Sequence, residues 1–309
     1  QLYRTPEGFL ILSNGLVSRS FTLEPNVACV SLNEERHQTS FLRAVRPEGS
    51  VTIDGMTLEI GGLEGQPIQN FLQRDWLPQL KATPGALSFA SYTIHDVQQR
   101  FAWKQHPEWM PQNAQWPVPG KELTFSFVLK DAAVQALKEK YPDKKTTDLS
   151  YLQRLTVEVH YELYDKLPVF CKWISIKNNS GREITINHFK SEILAATEPE
   201  STVDDRQHWI FPNITLNTEY NFGGMSEEYI YSTSVKWKPD SLYLTQVNYA
   251  RTMPCLLEAA PSIGPDQRVV SGEEFSSFRL WELRNDSWDR ERKSLAFRKM
   301  MRALAPWST

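Results

Sequence analysis

Leu155-Thr156-Val157-Glu158-Val159-His160-Tyr161-Glu162-Leu163-Tyr164 alternates apolar and polar side chains without a break. Successive side chains of an extended chain point to opposite faces. Leu155, Val157, Val159, Tyr161 and Leu163 therefore share one face, and Thr156, Glu158, His160, Glu162 and Tyr164 the other. The first face belongs to a core; the second is wet or part of an interface. Asp165-Lys166-Leu167-Pro168 then turns the chain into residues 169–177, where Val169, Cys171 and Trp173 oppose Phe170, Ile174 and Ile176. A strand apolar on both sides is expected to be buried on both sides. Asn178-Asn179-Ser180-Gly181-Arg182 makes the next turn and residues 183–195 return as another strand, so three consecutive antiparallel strands form a meander.

The same punctuation recurs outward from this stretch. Residues 9–12 and 16–23 flank Ser13-Asn14-Gly15, and residues 51–53 and 56–60 flank Asp54-Gly55, both signatures of hairpins. Further strands are expected at residues 87–93, 123–129, 209–215, 242–248, 254–258 and 275–283. Helix is rare. One short helix is expected over 132–140, capped by Asp131 and stopped by Pro142. A second follows Asn285-Asp286-Ser287, with Phe297, Met300, Met301 and Leu304 at i, i+3, i+4 and i+7 and Asp289 and Glu291 near its positive end. The segments 64–84 and 103–120 are long loops, which in compact folds usually serve function or an interface.

Composition bounds the function classes. With 40% hydrophobic residues and a net charge of −3 over 309 residues, the chain can bury a large core and is not of the disordered class. No apolar run is long enough to span a bilayer, and no basic tract suggests nucleic acid. Cys29, Cys171 and Cys255 lie far apart in apolar runs and read as small core residues. No histidine spacing suits a metal, no glycine loop suits a phosphate, and no cofactor is implied. The opening Gln1-Leu2-Tyr3, without initiator Met, fits a mature exported protein, secreted or periplasmic.

Leu12-Ser13-Asn14-Gly15-Leu16-Val17-Ser18-Arg19 and Gly61-Gly62-Leu63-Glu64-Gly65-Gln66-Pro67 resemble the N-terminal region of alpha-galactosidase-like glycoside hydrolases of family 36 type. Glu273-Glu274-Phe275-Ser276-Ser277-Phe278-Arg279-Leu280-Trp281-Glu282-Leu283, the helix after it and Arg302-Ala303-Leu304-Ala305-Pro306-Trp307 resemble the passage from the N-terminal β-supersandwich of such proteins into a (β/α)8 barrel. The resemblance implies a mainly β fold: a large antiparallel, galactose mutarotase-like β-supersandwich over residues 1–286, few short helices, and a C-terminal linker helix over 287–309. It also places the catalytic Asp pair on the barrel. A barrel takes about 250 residues and none follow Thr309, so no catalytic residue carries over. The function implied is that of an accessory, non-catalytic domain supporting a catalytic barrel of the same polypeptide and contributing to carbohydrate binding. The alternatives are a free-standing mutarotase-like sugar epimerase and a carbohydrate-binding surface module.

Each alternative demands different side chains. A glycosidase needs two carboxylates across one bond, whereas the neighbours in Asp204-Asp205 and Glu227-Glu228 point apart on an extended chain. An epimerase needs an acid and a base on the sugar. His160 and His188 with Glu158, Glu162 and Glu192 could supply them, but a polar sheet face set against another domain is the favoured reading. Indole rings stack on the C–H faces of sugars. Trp103, Trp109 and Trp116, near Phe101 and His106, and a second group of His208 and Trp209 beside Phe211, are therefore the carbohydrate-binding candidates. Contact with another domain competes with that role. Phe297, Met300, Met301 and Leu304 are the candidates for the domain interface.

Overall fold

The computed structural model of the chain describes residues 1–102, 115–220, 231 and 233–304. Its largest element is a seven-stranded antiparallel sheet in the order Ser88–Asp96, Gly120–Val128, Leu155–Tyr164, Val169–Asn178, Leu280–Arg284, Ile214–Thr218, with Glu274–Ser276 also paired to Val169–Asn178. Three of the four smaller antiparallel sheets oppose it, the fourth being the two-stranded pair of Leu63–Glu64 and Lys81–Ala82. The N-terminal sheet includes the hairpin Leu10–Ser13 and Val17–Thr22; a second centres on Gly49–Ile53 and Ile184–Lys190; a third centres on Glu192–Ala196 and Pro254–Ala259. Phe21 of the N-terminal sheet meets Phe125 and Tyr161 of the large sheet with ring centroids 5.0 Å apart. One continuous core runs from Leu10 and Phe21 through Val157 and Ile174 to Ile186 and Leu257. The fold is an antiparallel β-sandwich.

Alternation accounts for the central strands. Leu155, Val157, Val159, Tyr161 and Leu163 are all buried in that core, and Val169–Asn178 is buried along both faces except at Lys177. The Asp54-Gly55 turn has φ of 48° and 79°, the primed geometry that suits the twist of a hairpin. Asn14 does more than turn its hairpin. Its Oδ1 accepts the Leu16 and Val17 N–H groups, and its Nδ2 donates to the carbonyls of Tyr164 and Leu167 at 2.7 Å each. The hairpin is thereby pinned to the turn between the two central strands.

Several expectations are corrected. Residues 183–195 are two strands, Ile184–Lys190 and Glu192–Ala196, in different sheets, with buried Ser191 at the corner. The expected three-strand meander therefore fails. After Asn178 the chain leaves the large sheet, because the Asn178 Oδ1 and Ser180 hydroxyl hold a tight turn that throws it across the sandwich. The meander instead consists of the four strands from Ser88 to Asn178. Residues 275–283 break at Ser277, whose hydroxyl accepts the Ile174 N–H in place of a ladder carbonyl. Residues 242–248 are turns held by the Asp240 carboxylate and Asn248, and their apolar side chains Leu242 and Leu244 lie exposed. Only the end of 209–215 is strand, which begins at Ile214.

The first helix is Asp131–Lys140, with Lys130 rather than Asp131 at its N-cap; the Asp131 carboxylate instead accepts Gln153 Nε2 at 2.7 Å. The last helix is Arg290–Leu304, whose first turn is capped by Asp289 Oδ1 accepting the Arg292 N–H at 2.8 Å. Among the described residues no helix is long and apolar enough to cross a membrane.

Candidate functional site

The outer face of the seven-stranded sheet, turned away from the main core, carries the polar half of the founding alternation. His160 is at its centre. Its Nδ1 lies 3.0 Å from Glu122 Oε1 and 3.1 Å from the Thr124 hydroxyl, and its Nε2 lies 3.0 Å from the Ser175 hydroxyl. The imidazole stacks on the Trp173 indole at 4.5 Å with the planes 3° apart. On Trp173 also lies the Arg279 guanidinium, 4.0 Å from the ring centroid, and Arg279 Nη1 is 3.6 Å from Glu162 Oε1. Lys177 pairs with Glu158 at 2.9 Å.

The electrostatics follow the neighbours. For Glu122, burial works against ionisation, but the hydrogen bond and charge of His160 outweigh it and hold the carboxyl below its usual range. Glu162 goes the other way: burial raises it, and Arg279 and the Tyr164 hydroxyl offset this only in part. A catalytic histidine that is bonded to a carboxylate and a hydroxyl must present that hydroxyl to substrate, and the Ser175 hydroxyl is buried, 1% exposed. Here both nitrogens are engaged and one ring face is covered. His188 does not join this group. It sits in another sheet, with Nε2 3.3 Å from the Pro261 carbonyl, and Glu192 points into the sandwich interior; the conceived cluster of both histidines with Glu192 is not formed.

The terminal helix covers the other half of this face. Met300 and Leu304 are buried against Val169, Cys171, Trp281 and Leu283, and Phe297 and Met301 are half-buried on the same cluster. All four interface candidates thus pack on the sheet of this chain. Further apolar surface faces outward, with Leu295 of the helix 59% exposed and Trp288, just before its first turn, 51%. Arg100 ties the helix end down by donating to the Leu304 carbonyl at 2.5 Å while lying over Trp281 and Trp116.

Of the carbohydrate-binding candidates, Trp103 and Trp109, with His106 beside them, lie outside the described residues. Trp116 stacks at an angle on Phe101, 5.0 Å between centroids, at the rim beside the helix end. His208 is exposed, 3.5 Å from Asp205, and Trp209 donates to the Asp204 carbonyl while packing on Tyr243, Met253 and Cys255. Trp116 and the His208–Trp209 pair belong to separate clusters. The Asp204 and Asp205 carboxylates accept the N–H groups of Ser201 and Gln207, a turn chemistry; Glu227 and Glu228 lie outside the described residues.

Sequence reasoning missed a second constellation on the inner face of the same sheet. Arg19, Glu48, Lys172, Glu192, Glu282 and Arg284 are all buried. Lys172 Nζ donates to Glu192 Oε1 at 2.8 Å and to the Glu48 carbonyl at 2.5 Å; Arg19 Nη1 donates to Glu192 Oε2 at 2.9 Å. Arg284 donates to Glu282, and Arg19 lies over the Tyr161 ring at 4.8 Å. The only signal was a lysine inside the apolar run 169–176.

No family model matches the chain, and no curated protein matches it by sequence. Among solved structures it is similar to the galactosidase domain of an alpha-galactosidase-sucrose kinase, with 10% identity and a TM-score of 0.42 over 92% of this chain and 41% of that one. It is also similar to a family 36 alpha-galactosidase from Geobacillus stearothermophilus. The complex with stachyose gives 10% identity and a TM-score of 0.40 over 90% of this chain and 41% of that chain. The complex with 1-deoxygalactonojirimycin gives 10% identity and a TM-score of 0.38 over 88% and 40%. The chain spans about two fifths of the length of these proteins. Likeness at this level carries no argument about function, and the sandwich rests on the strand pairings above.

Proposed function

We propose that the chain is an accessory, non-catalytic β-sandwich domain of an alpha-galactosidase-like glycoside hydrolase, supporting a catalytic barrel through the outer face of its seven-stranded sheet. The observation that carries this reading is the commitment of His160. With both nitrogens bonded, its ring on Trp173 and its Ser175 partner buried, it holds a rigid polar and aromatic shelf in place of a group open to substrate. The terminal helix and the segment just before it offer the surface to a neighbouring domain, with Leu295 and Trp288 presented outward, while the shelf beside them is largely closed within the chain, Trp173 and Ser175 being buried. The sequence motifs at residues 12–19, 61–67 and 273–283 supply the family to which that neighbour belongs.

The isolated chain is expected neither to hydrolyse nitrophenyl galactosides nor to accelerate the anomer interconversion of fresh glucose or galactose followed by polarimetry. Turnover above buffer that is lost in His160→Ala would overturn the reading in favour of the epimerase.

The rim at Trp116 and Phe101 favours a second reading, carbohydrate contact. Titration calorimetry is expected to show no submillimolar binding of free galactose or glucose. Binding in that range, lost in Trp116→Ala, would favour a carbohydrate module.

A further inference from the structure

The seven-stranded sheet ends differently at its two edges. Ile214–Thr218 is buried along its whole length. At the opposite edge Ser88–Asp96 runs for nine residues and, among the described residues, pairs only inward, with Gly120–Val128. Ser91, Thr93, Ile94, His95 and Asp96 are exposed there. Other edges of the molecule are guarded. Val235–Pro239 carries Lys236, Lys238 and Pro239, and the Met56–Ile60 edge gives its Thr57 N–H to the Tyr141 hydroxyl at 2.8 Å. Ser88–Asp96 has no Lys, Arg or Pro, the residues with which sheets discourage pairing at an open edge. Its bulge lies at the start, between Phe89 and Ser91, where Asn26 Oδ1 takes the Phe89 N–H at 2.9 Å; from Ser91 to Asp96 the register is regular.

Ladder alternation fixes which backbone groups face outward. The Val97 N–H donates to the Gly120 carbonyl at 3.2 Å, which makes Val97 and Gly120 a hydrogen-bonded pair. Along an antiparallel ladder such pairs alternate with non-bonded ones. Counting back through Asp96↔Lys121, His95↔Glu122, Ile94↔Leu123, Thr93↔Thr124 and Tyr92↔Phe125, the N–H and C=O of Tyr92, Ile94 and Asp96 turn away from the sheet. The side chains of Tyr92 and Ile94 lie on the core side, over Phe125 and Leu123, yet Ile94 is 44% exposed.

This edge is complementary to itself. In an antiparallel copy related by a two-fold axis at Thr93, Tyr92 meets Ile94 of the second copy, and the two exchange N–H···O=C bonds through groups the monomer leaves outward. Thr93 meets its own counterpart as a non-bonded pair, and no like charges are opposed. The core-side surface continues across the junction, with each Ile94 covered by the Tyr92 of the other copy. We infer that the chain forms a two-fold dimer by antiparallel pairing of Ser88–Asp96 about Thr93, which joins two large sheets into one.

Sedimentation of the full chain across a concentration series, with two variants and a cross-link, tests this. The chain is expected to sediment as a dimer at micromolar concentration, and Ile94→Lys and Ile94→Pro as monomers with unchanged circular dichroism. The Ile94 N–H takes no part in the monomer ladder, so proline there leaves the ladder bonds in place while removing the intermolecular donor; Ile94→Lys keeps every backbone bond and carries the test if the proline variant fails to fold. Non-bonded pairs sit at Cα separations that a disulfide can bridge. Diamide, which takes up the two thiol protons and electrons, should therefore link Thr93→Cys to its counterpart but leave Ser91→Cys unlinked, the native cysteines being buried. A monomer at every concentration, a dimer that survives both Ile94 variants, or equal cross-linking at both positions would overturn the proposal. So would a monomer whose Tyr92 and Ile94 amides exchange slowly, because another part of the chain would then occupy the edge.

Discussion

Lys172→Met is expected to lower the stability of the domain by about 3 to 5 kcal/mol, the cost of breaking a buried charge pair by removing one partner. Lys172 is fully buried, and its ammonium neutralises Glu192 while satisfying the Glu48 carbonyl. Methionine matches its volume but leaves Glu192 with Arg19 alone. By contrast Lys121→Met, which breaks the exposed pair with Asp96, should leave stability nearly unchanged. Urea unfolding of both variants compares them directly. A Lys172→Met loss as small as that of Lys121→Met would mean that the cluster does not act as a unit.

The same cluster sets a pH dependence. Burial pushes the Glu282 carboxyl up to about 7, with Arg284 pulling against it and neighbouring Glu192 adding to it. Burial would raise Glu192 too, but Arg19 and Lys172 outweigh it and hold that carboxyl well below its usual range. The unfolded Glu282 titrates near 4.5, so the folded state holds the extra proton between that value and about 7. Stability from this group is therefore full below about 4.5 and lost as the pH rises through about 7. Glu192 contributes above the usual carboxylate range and loses its contribution as the pH falls below it. His188, lowered mainly by burial, also loses stability on acidification, so the difference between the wild type and Glu282→Gln carries the information. Between pH 5 and 8 the urea midpoint of Glu282→Gln is expected to gain on that of the wild type as the pH rises.

The second large effect is expected at Gly61 and Gly62. Both have positive φ, 62° and 87°. A Cβ on Gly61 would lie 2.5 Å from the Val27 carbonyl oxygen, and one on Gly62 2.8 Å from the Pro47 Cα. Backbone is on the far side of each contact, so strain of about 1 to 3 kcal/mol adds to a clash that no rotamer relieves. Gly61→Ala and Gly62→Ala are each expected to lose about 3 kcal/mol or more by urea unfolding. Gly15→Ala, with φ of 81° but open space around it, should show the strain alone. Equal losses at all three positions would show that the close approach carries no cost of its own.

These glycines mark what the sequence could and could not disclose. Period-two alternation made residues 155–164 and 169–177 legible, and Asn-Gly and Asp-Gly made their hairpins legible, because those signals are local. The motif at residues 61–67 was visible only as a family signature. Its physical content, two left-handed glycines against Val27 and Pro47 and a buried Gln66 that ties together Val45, Ile68 and Phe71, depends on distant backbone. The break at Ser191 escaped detection because the apolar pattern runs on through a corner where the strand changes sheets. His160 was visible as a polar residue on a strand; that Glu122 and Ser175 occupy both its nitrogens required the register of three strands. The buried charges were illegible for a related reason: Arg19, Glu192 and Glu282 come from three parts of the chain and neutralise one another only after folding.

The claim at the centre of the account is that the outer face of the large sheet, with its terminal helix, is a docking surface for a catalytic domain. Amide hydrogen exchange in this chain alone and in the longest natural polypeptide that carries it tests that claim directly. In the longer form, exchange is expected to slow across Arg290–Leu304 and around Arg279, while the exposed turns at residues 242–248 stay unchanged. Identical rates over the helix in both forms would contradict the account, because the helix would then belong to the sandwich alone.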